Sequence, residues 1–385
     1  MREVQPAVTV SSPDCRAHRV GHQQDAKPVR LADTRIAAGA SSTIGLPSER
    51  GEGRTSDKGR GTSLLKRRSF LQATAAASGI AFTGLATSPL PAREPIERSG
   101  PPRFRIGIAG YSLRPYFRYM KGKQQKFQPI PKGVSFTNRD VSNGLTQVDF
   151  LDYCVSMGVE AAELTGYFMT PGPDGFPTEA SLLELRRQAF TRGVVISGTA
   201  IGNNFTVGPG KRYEQEVSDA MRWIDLAATL GAPHIRFFAG TAAQLAKSPS
   251  RMDEAVVAVN RCAEQAANKG VFLGVENHGQ LSAAQMLEIM DRVDSPWVGI
   301  NLDTGNFVSD DPYGDLEACA PYAVNVQVKP VMKSRTGEKT PADYDRIAKI
   351  LRDSGYQGYV VFEYEDADVL EALPKHLAQL QTALA

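Results

Sequence analysis

From about residue 104 onward, short apolar runs ending in polar or turn-forming residues alternate with longer amphipathic stretches. The runs RIGIAGYS (from Arg105), AAELTG (from Ala161), VVISGTAI (from Val194), HIRFFAG (from His234), VFLGVENHG (from Val271), VGINLDTGN (from Val298), AVNVQVKP (from Ala323) and YVVFEYE (from Tyr359) read as buried strands. Segments 178–192, 213–230, 252–268 and 341–354 space their apolar residues as helices do. Gly193, Gly231, Gly270 and Gly355 follow them, where a helix end favours left-handed backbone. Eight strands alternating with helices predict a parallel sheet, and eight such units close a (β/α)8 barrel. The rival open doubly wound sheet would carry a glycine-rich phosphate turn after its first strand, and Gly107-Ile-Ala-Gly-Tyr lacks that spacing. The expected fold class is therefore α/β, a (β/α)8 TIM barrel over 104–385.

One connection is long. Between Tyr111 and a helix starting near Thr146 runs the basic stretch LRPYFRYMKGK and a Pro/Gly-rich tail. Because it follows the first strand, it lies over the C-terminal face, where its cations either meet an anionic substrate or stay solvated.

The chain ahead of the barrel has a different pattern. Residues 1–63 are rich in Ser, Gly, Arg and Asp without periodic apolar positions, which predicts a disordered N-terminal extension. Residues 64–92, LLKRRSFLQATAAASGIAFTGLATSPLPA, place Arg67-Arg68 before a weakly apolar Ala/Gly stretch and small residues near Ala86 and Ala92. This resembles a twin-arginine export signal and implies a periplasmic or extracytoplasmic protein. The bland alternatives are an amphipathic helix with two solvated arginines and an uncleaved anchor. The stretch 73–86 is too short and too weakly apolar for a spanning helix, so no stable membrane span is expected after cleavage.

Composition narrows the classes further. Residues 1–92 carry 13 Lys/Arg against 7 Asp/Glu, leaving 31 against 35 for the remainder, so the chain's net charge of +2 hides a mildly acidic body. Without a basic stripe that body has no electrostatic reason to bind nucleic acid. Cys15, Cys154, Cys262 and Cys319 are widely spaced and indicate neither a disulfide framework nor a zinc motif. Association of subunits leaves no signal in the sequence.

A barrel assembles its active site at the C-terminal ends of its strands. Glu276, Asp303, Gln327 and Glu363 stand at such ends, separated by 27, 24 and 36 residues, about one β/α unit each. Lys329 follows two residues after Gln327. Asp303 alone would read as a turn residue, since Thr-Gly-Asn follows it. Several carboxylates in one concave site repel one another unless a cation is present, and a divalent metal is the simplest resolution. Oxygen ligands favour Mn²⁺, Mg²⁺ or Co²⁺ over structural zinc. His278, two residues beyond Glu276, either approaches the same site or bonds within its loop. Arg236 is a candidate for a substrate hydroxyl or carboxylate, or for pairing with an acid. Glu163 is expected in a structural ion pair, and Trp223 and Trp297 in packing.

These motifs give the region from about 104 to 385 a resemblance to the xylose isomerase-like barrel superfamily, in its sugar phosphate isomerase/epimerase branch. The resemblance implies one divalent metal, foremost Mn²⁺, held by Glu276, Asp303, the residue at 327 and Glu363. It also implies a small-molecule carbohydrate substrate. The family commonly has His in an H-x-K sequence where this chain has Gln327-Val-Lys329, and an amide oxygen ligates more weakly than imidazole. The implied reaction is proton abstraction alpha to a sugar carbonyl through an enediolate. Glu276 and Glu363 serve as acid and base, and Lys329 steadies the charge. Two alternatives stand beside it: cleavage of 3-keto-glycosides by the same proton abstraction, and a non-catalytic carbohydrate-binding barrel with a decayed metal site. The endonuclease IV-like branch needs many histidines, whereas this chain has five, with His18 and His22 ahead of the barrel and His376 in the last helix pattern.

Overall fold

The computed structural model describes residues 93–385. The extension expected over 1–63 and the export signal expected over 64–92 lie outside the described residues. Eight parallel strands close a barrel: β1 Arg103–Ala109, β2 Ala161–Glu163, β3 Val195–Ala200, β4 His234–Phe238, β5 Phe272–Glu276, β6 Val298–Asp303, β7 Ala323–Val328 and β8 Gln357–Phe362. Each pairs with its sequence neighbour, and β8 returns to β1 through Arg103↔Gln357 to Ile108↔Phe362. The expected fold class is the observed one.

A helix follows each strand: α1 Gln147–Ser156, α2 Glu179–Thr191, α3 Lys211–Leu230, α4 Ser250–Lys269, α5 Ala283–Arg292, α6 Pro312–Cys319, α7 Tyr344–Asp353 and α8 Val369–Leu384. Their ends obey local chemistry. Thr146 with Asp149 and Ser282 with Gln285 form capping boxes on α1 and α5, satisfying backbone donors that have no partner inside the helix. The four expected glycines all take left-handed φ, between 67° and 80°. Helix α7 starts later than the sequence pattern suggests. Lys339–Pro341 forms a short strand, and Asp343 caps the helix by accepting from the Arg346 amide.

Strand β6 shows how the barrel divides its side chains. All six residues are buried, and the period-two alternation sends Asn301 and Asp303 inward while Ile300 and Leu302 pack toward the helices. The core between strands and helices is apolar, whereas the upper barrel interior is polar.

Two small sheets sit over the C-terminal ends. Val331–Ser334 pairs with Lys339–Pro341 and Val308–Ser309, and Tyr119–Met120 pairs with Lys123–Gln124 inside the long connection after β1. That connection is anchored. Phe117 is fully buried and stacks on Phe168 at 4.6 Å, and the amide of Lys121 at the hairpin tip donates to the Tyr167 carbonyl at 2.7 Å. At the opposite end, residues 93–102 strap the barrel floor. Arg93 donates to the Ser295 and Val298 carbonyls, and Arg98 to those of Pro321 and Ala323. No helix among the described residues is long and apolar enough to cross a membrane.

Candidate active site at the barrel mouth

A cavity of about 650 Å³ opens at the C-terminal ends of the strands, with Arg236, Glu276, His278, Lys329, Glu363 and Glu365 on its walls. Strand geometry assembles it. Glu163, Glu276 and Asp303 are the last residues of β2, β5 and β6, Gln327 pairs in register with Asp303, and Glu363 follows β8 directly.

Each buried acid meets a partner supplied by the chain. The Arg236 Nε lies 2.7 Å from Glu276 Oε2, while its other nitrogens donate to the Ile201 carbonyl at 2.8 Å and the Tyr167 hydroxyl at 3.2 Å. Asn306 donates to Glu276 Oε1 at 2.8 Å. Lys329 Nζ lies 2.9 Å from Asp303 Oδ2 and 3.4 Å from both Glu363 Oε1 and Glu365 Oε1. Asp303 is fixed from behind: its backbone exchanges two hydrogen bonds with the Asn277 amide, and its Oδ1 accepts from the Gly305 amide.

An amide ladder runs below the carboxylates. Asn325 donates to Asn301 Oδ1 at 2.8 Å, Asn301 donates to Gln327 Oε1 at 2.7 Å, and Gln327 Nε2 faces Glu163 (3.1 Å) and Glu363 (3.2 Å). Carboxylates accept hydrogen bonds, so the NH₂ groups of Gln327 and Asn325 point toward them, and the Gln327 oxygen points away to accept from Asn301. The expected ligand at 327 is thus placed as a donor between two glutamates, for this electrostatic reason. Glu163, expected in a structural pair, is fully buried and joins the network.

Burial controls the charges. Loss of solvent pushes the carboxyl groups of Glu163 and Glu276 up to about 7 and that of Glu363 up to about 8, with Arg236 and Lys329 opposing the rise. Burial raises Asp303 too, against the pull of Lys329. Burial disfavours the Lys329 ammonium, but Asp303, Glu363 and Glu365 outweigh it and hold it well above the usual lysine range. His278 is exposed at the rim of the same cavity, its ring tilted against that of Phe238 at 4.2 Å.

These contacts test the fit of a divalent ion. Such an ion takes carboxylate oxygens at about 2 Å. The oxygens of Asp303 and Glu363 already face Lys329, both Glu276 oxygens are engaged, and Gln327 turns its NH₂ inward. Among the described residues no group of three or more His, Cys, Asp or Glu side chains is arranged to hold a metal. The residues present do not fit the group.

Asn301, Asn325, Asn306 and Glu365 were not singled out from the sequence. Period two was the available signal: Asn301 and Asn325 lie two residues before Asp303 and Gln327, and Glu365 two after Glu363.

Fold and site together define a (β/α)8 barrel with an acid–base cluster at its mouth. The family model of the xylose isomerase-like TIM barrel matches residues 151–383, and the chain belongs to that family. A curated relative, 3-oxo-isoapionate decarboxylase of Pectobacterium atrosepticum, is 29% identical over 110 residues, 28% of this chain. That match spans only 38% of the relative's length. Among solved structures, D-psicose 3-epimerase of Clostridium cellulolyticum H10 superposes with TM-score 0.55 at 14% identity, covering 73% of this chain and 99% of the other. A xylose isomerase-like barrel of Mycobacterium smegmatis in complex with magnesium gives 0.53 at 19%, covering 73% and 98%. The 3-keto-D-glucoside 4-epimerase of E. coli gives 0.51 at 17%, covering 73% and 100%. At these identities the structural likeness speaks for the fold.

Proposed function

We propose that this chain catalyses proton transfer at the carbon alpha to a carbonyl of a carbohydrate, as an isomerase or epimerase working through an enediolate. One observation carries the reading: Glu276 and Glu363 face one cavity, each raised by burial into the range near neutrality. An acid and a base work best with pKa values close to the working pH. In this reading one glutamate removes the alpha proton and the other returns a proton. Arg236 and Lys329 hold opposing charge beside the developing oxyanion, a role for fixed cations in a water-poor site. The donor set argues against a divalent metal as the electrophile, so no step is assigned to one. Loss of CO₂ from a 3-oxo acid, the kind of reaction for which the curated relative is named, also leaves its electron pair in an enolate, which such cations would steady.

The test is exchange of substrate hydrogen with D₂O. Incubating ketoses and aldoses with the full chain should introduce deuterium at the alpha carbon, and Glu276→Gln or Glu363→Gln should each slow this by roughly 10²–10⁴-fold. If no sugar exchanges, or both variants exchange at the unmodified rate, the reading fails.

A second reading, cleavage of 3-keto-glycosides, is favoured by an adjoining cavity of about 250 Å³ lined by Met169, Phe176 and Trp223. It shares Lys121, Tyr167 and Gly202 with the main cavity. A sugar bound beside Glu276 could extend an apolar aglycone toward these rings. Release of an aglycone from a 3-keto-glucoside, slowed in a Trp223→Ala variant that still exchanges free sugars, would select this reading. Export through the signal expected over 64–92 belongs to this reading, because it would bring the enzyme to glycosides outside the cytoplasm; loss of export on Arg67→Lys with Arg68→Lys tests that step.

A further inference from the structure

We propose that the Lys329 ammonium is the built-in cation of this barrel mouth and keeps divalent metal out of the carboxylate cluster. The ammonium stands within 2.9–3.4 Å of oxygens on Asp303, Glu363 and Glu365, the atoms a metal would need. A metal at those oxygens would sit against a buried ammonium and near the Arg236 guanidinium, and a doubly charged ion is repelled by both.

The lysine is not free to step aside. Its side chain is 8% exposed, its Nζ donates to Asn306 Oδ1 at 3.2 Å, and its backbone amide donates to Thr304 Oγ1 at 3.0 Å. Its stem lies on Gly305, where a Cβ would come within 2.9 Å of both the Cβ and Cδ of Lys329. Position 327 offers no compensation, because its amide oxygen is taken by Asn301. Glu276 offers none either, held by Arg236 on one oxygen and Asn306 on the other.

Exclusion of metal stands on these contacts alone; that Lys329 then serves as the electrophile toward an enediolate rests on the proton-transfer reading. The experiment uses the full chain, stripped with EDTA and titrated with Mn²⁺ while the electron paramagnetic resonance signal of free Mn²⁺ is followed. The unmodified protein should leave that signal undiminished. Lys329→Met, which keeps an unbranched stem on Gly305, should take up one equivalent at least about tenfold more tightly, whereas Lys329→Arg should not. Stoichiometric Mn²⁺ uptake by the unmodified protein overturns the inference. So does a Lys329→Met protein with native circular dichroism that binds no better. Should Lys329→Met fail to fold, Lys329→Gln takes its place under the same criterion. None of these readings needs a substrate, so a chain inactive on every sugar leaves them intact. Conversely, exchange activity abolished by EDTA and restored by Mn²⁺ overturns the inference and spares the acid–base reading.

Discussion

Gln327 donates where a metal ligand would have to accept. Its orientation follows from the neighbours, Asn301 on its oxygen and the glutamates at 163 and 363 on its nitrogen. Sequence spacing identified position 327 as inward-facing but carried no information on which end of the amide would meet the acids. Glu163 shows the same limit, since its burial depends on β2 lying across the barrel from β7, beyond the reach of spacing along the chain. Its chemistry leads to a pH prediction. Burial raises the Glu163 carboxyl from an ordinary 4.5 to about 7, so the folded state holds that proton more tightly than the unfolded state. The resulting stability is full below about pH 4.5 and is lost as pH rises through about 7, an effect of roughly 3 kcal/mol. Glu163→Gln should therefore flatten this part of the profile in urea unfolding at a series of pH values. An unchanged slope would mean that Glu163 is not the group responsible.

At the scale of elements, strand ends were legible because an apolar run closing on a carboxylate is a local signal. The five short strands over the mouth were not, because each has only two to four residues, too few for an alternation to show. The long connection after β1 stands open in sequence between a substrate-facing and a solvated loop; its stem packs through Phe117 on Phe168, while Met120 and Lys121 line the main cavity. Strands β3 and β4 depend on a close approach that is equally invisible in sequence. The His234 ring lies over Gly198, where a Cβ would fall 2.0 Å from the ring, and His234 Nδ1 is 2.8 Å from the Ser197 carbonyl oxygen. Gly198→Ala must displace the ring or the strand, and the expected cost is about 1–3 kcal/mol, read as a lowered unfolding midpoint. Adding His234→Ala should return part of that loss, since the two side chains compete for one space. If the two effects simply add, the contact is not the cause.

Across the molecule, Cys154, Cys262 and Cys319 are free and buried between strands and helices. Burial pushes the thiols of Cys262 and Cys319 up to about 12 and raises Cys154 as well, which suppresses the reactive thiolate. These three should resist an aromatic disulfide reagent in the native protein and react together as denaturant opens the barrel. Reaction of any of them well before loss of circular dichroism would reveal local opening. The strap formed by residues 93–102 adds a directional property. Arg93 and Arg98 grip carbonyls at the starts of β6 and β7, on the face opposite the cavity. A bead or electrode coupled to the chain just ahead of Arg93 would therefore hold the protein by its floor, with the mouth turned outward to the passing solution.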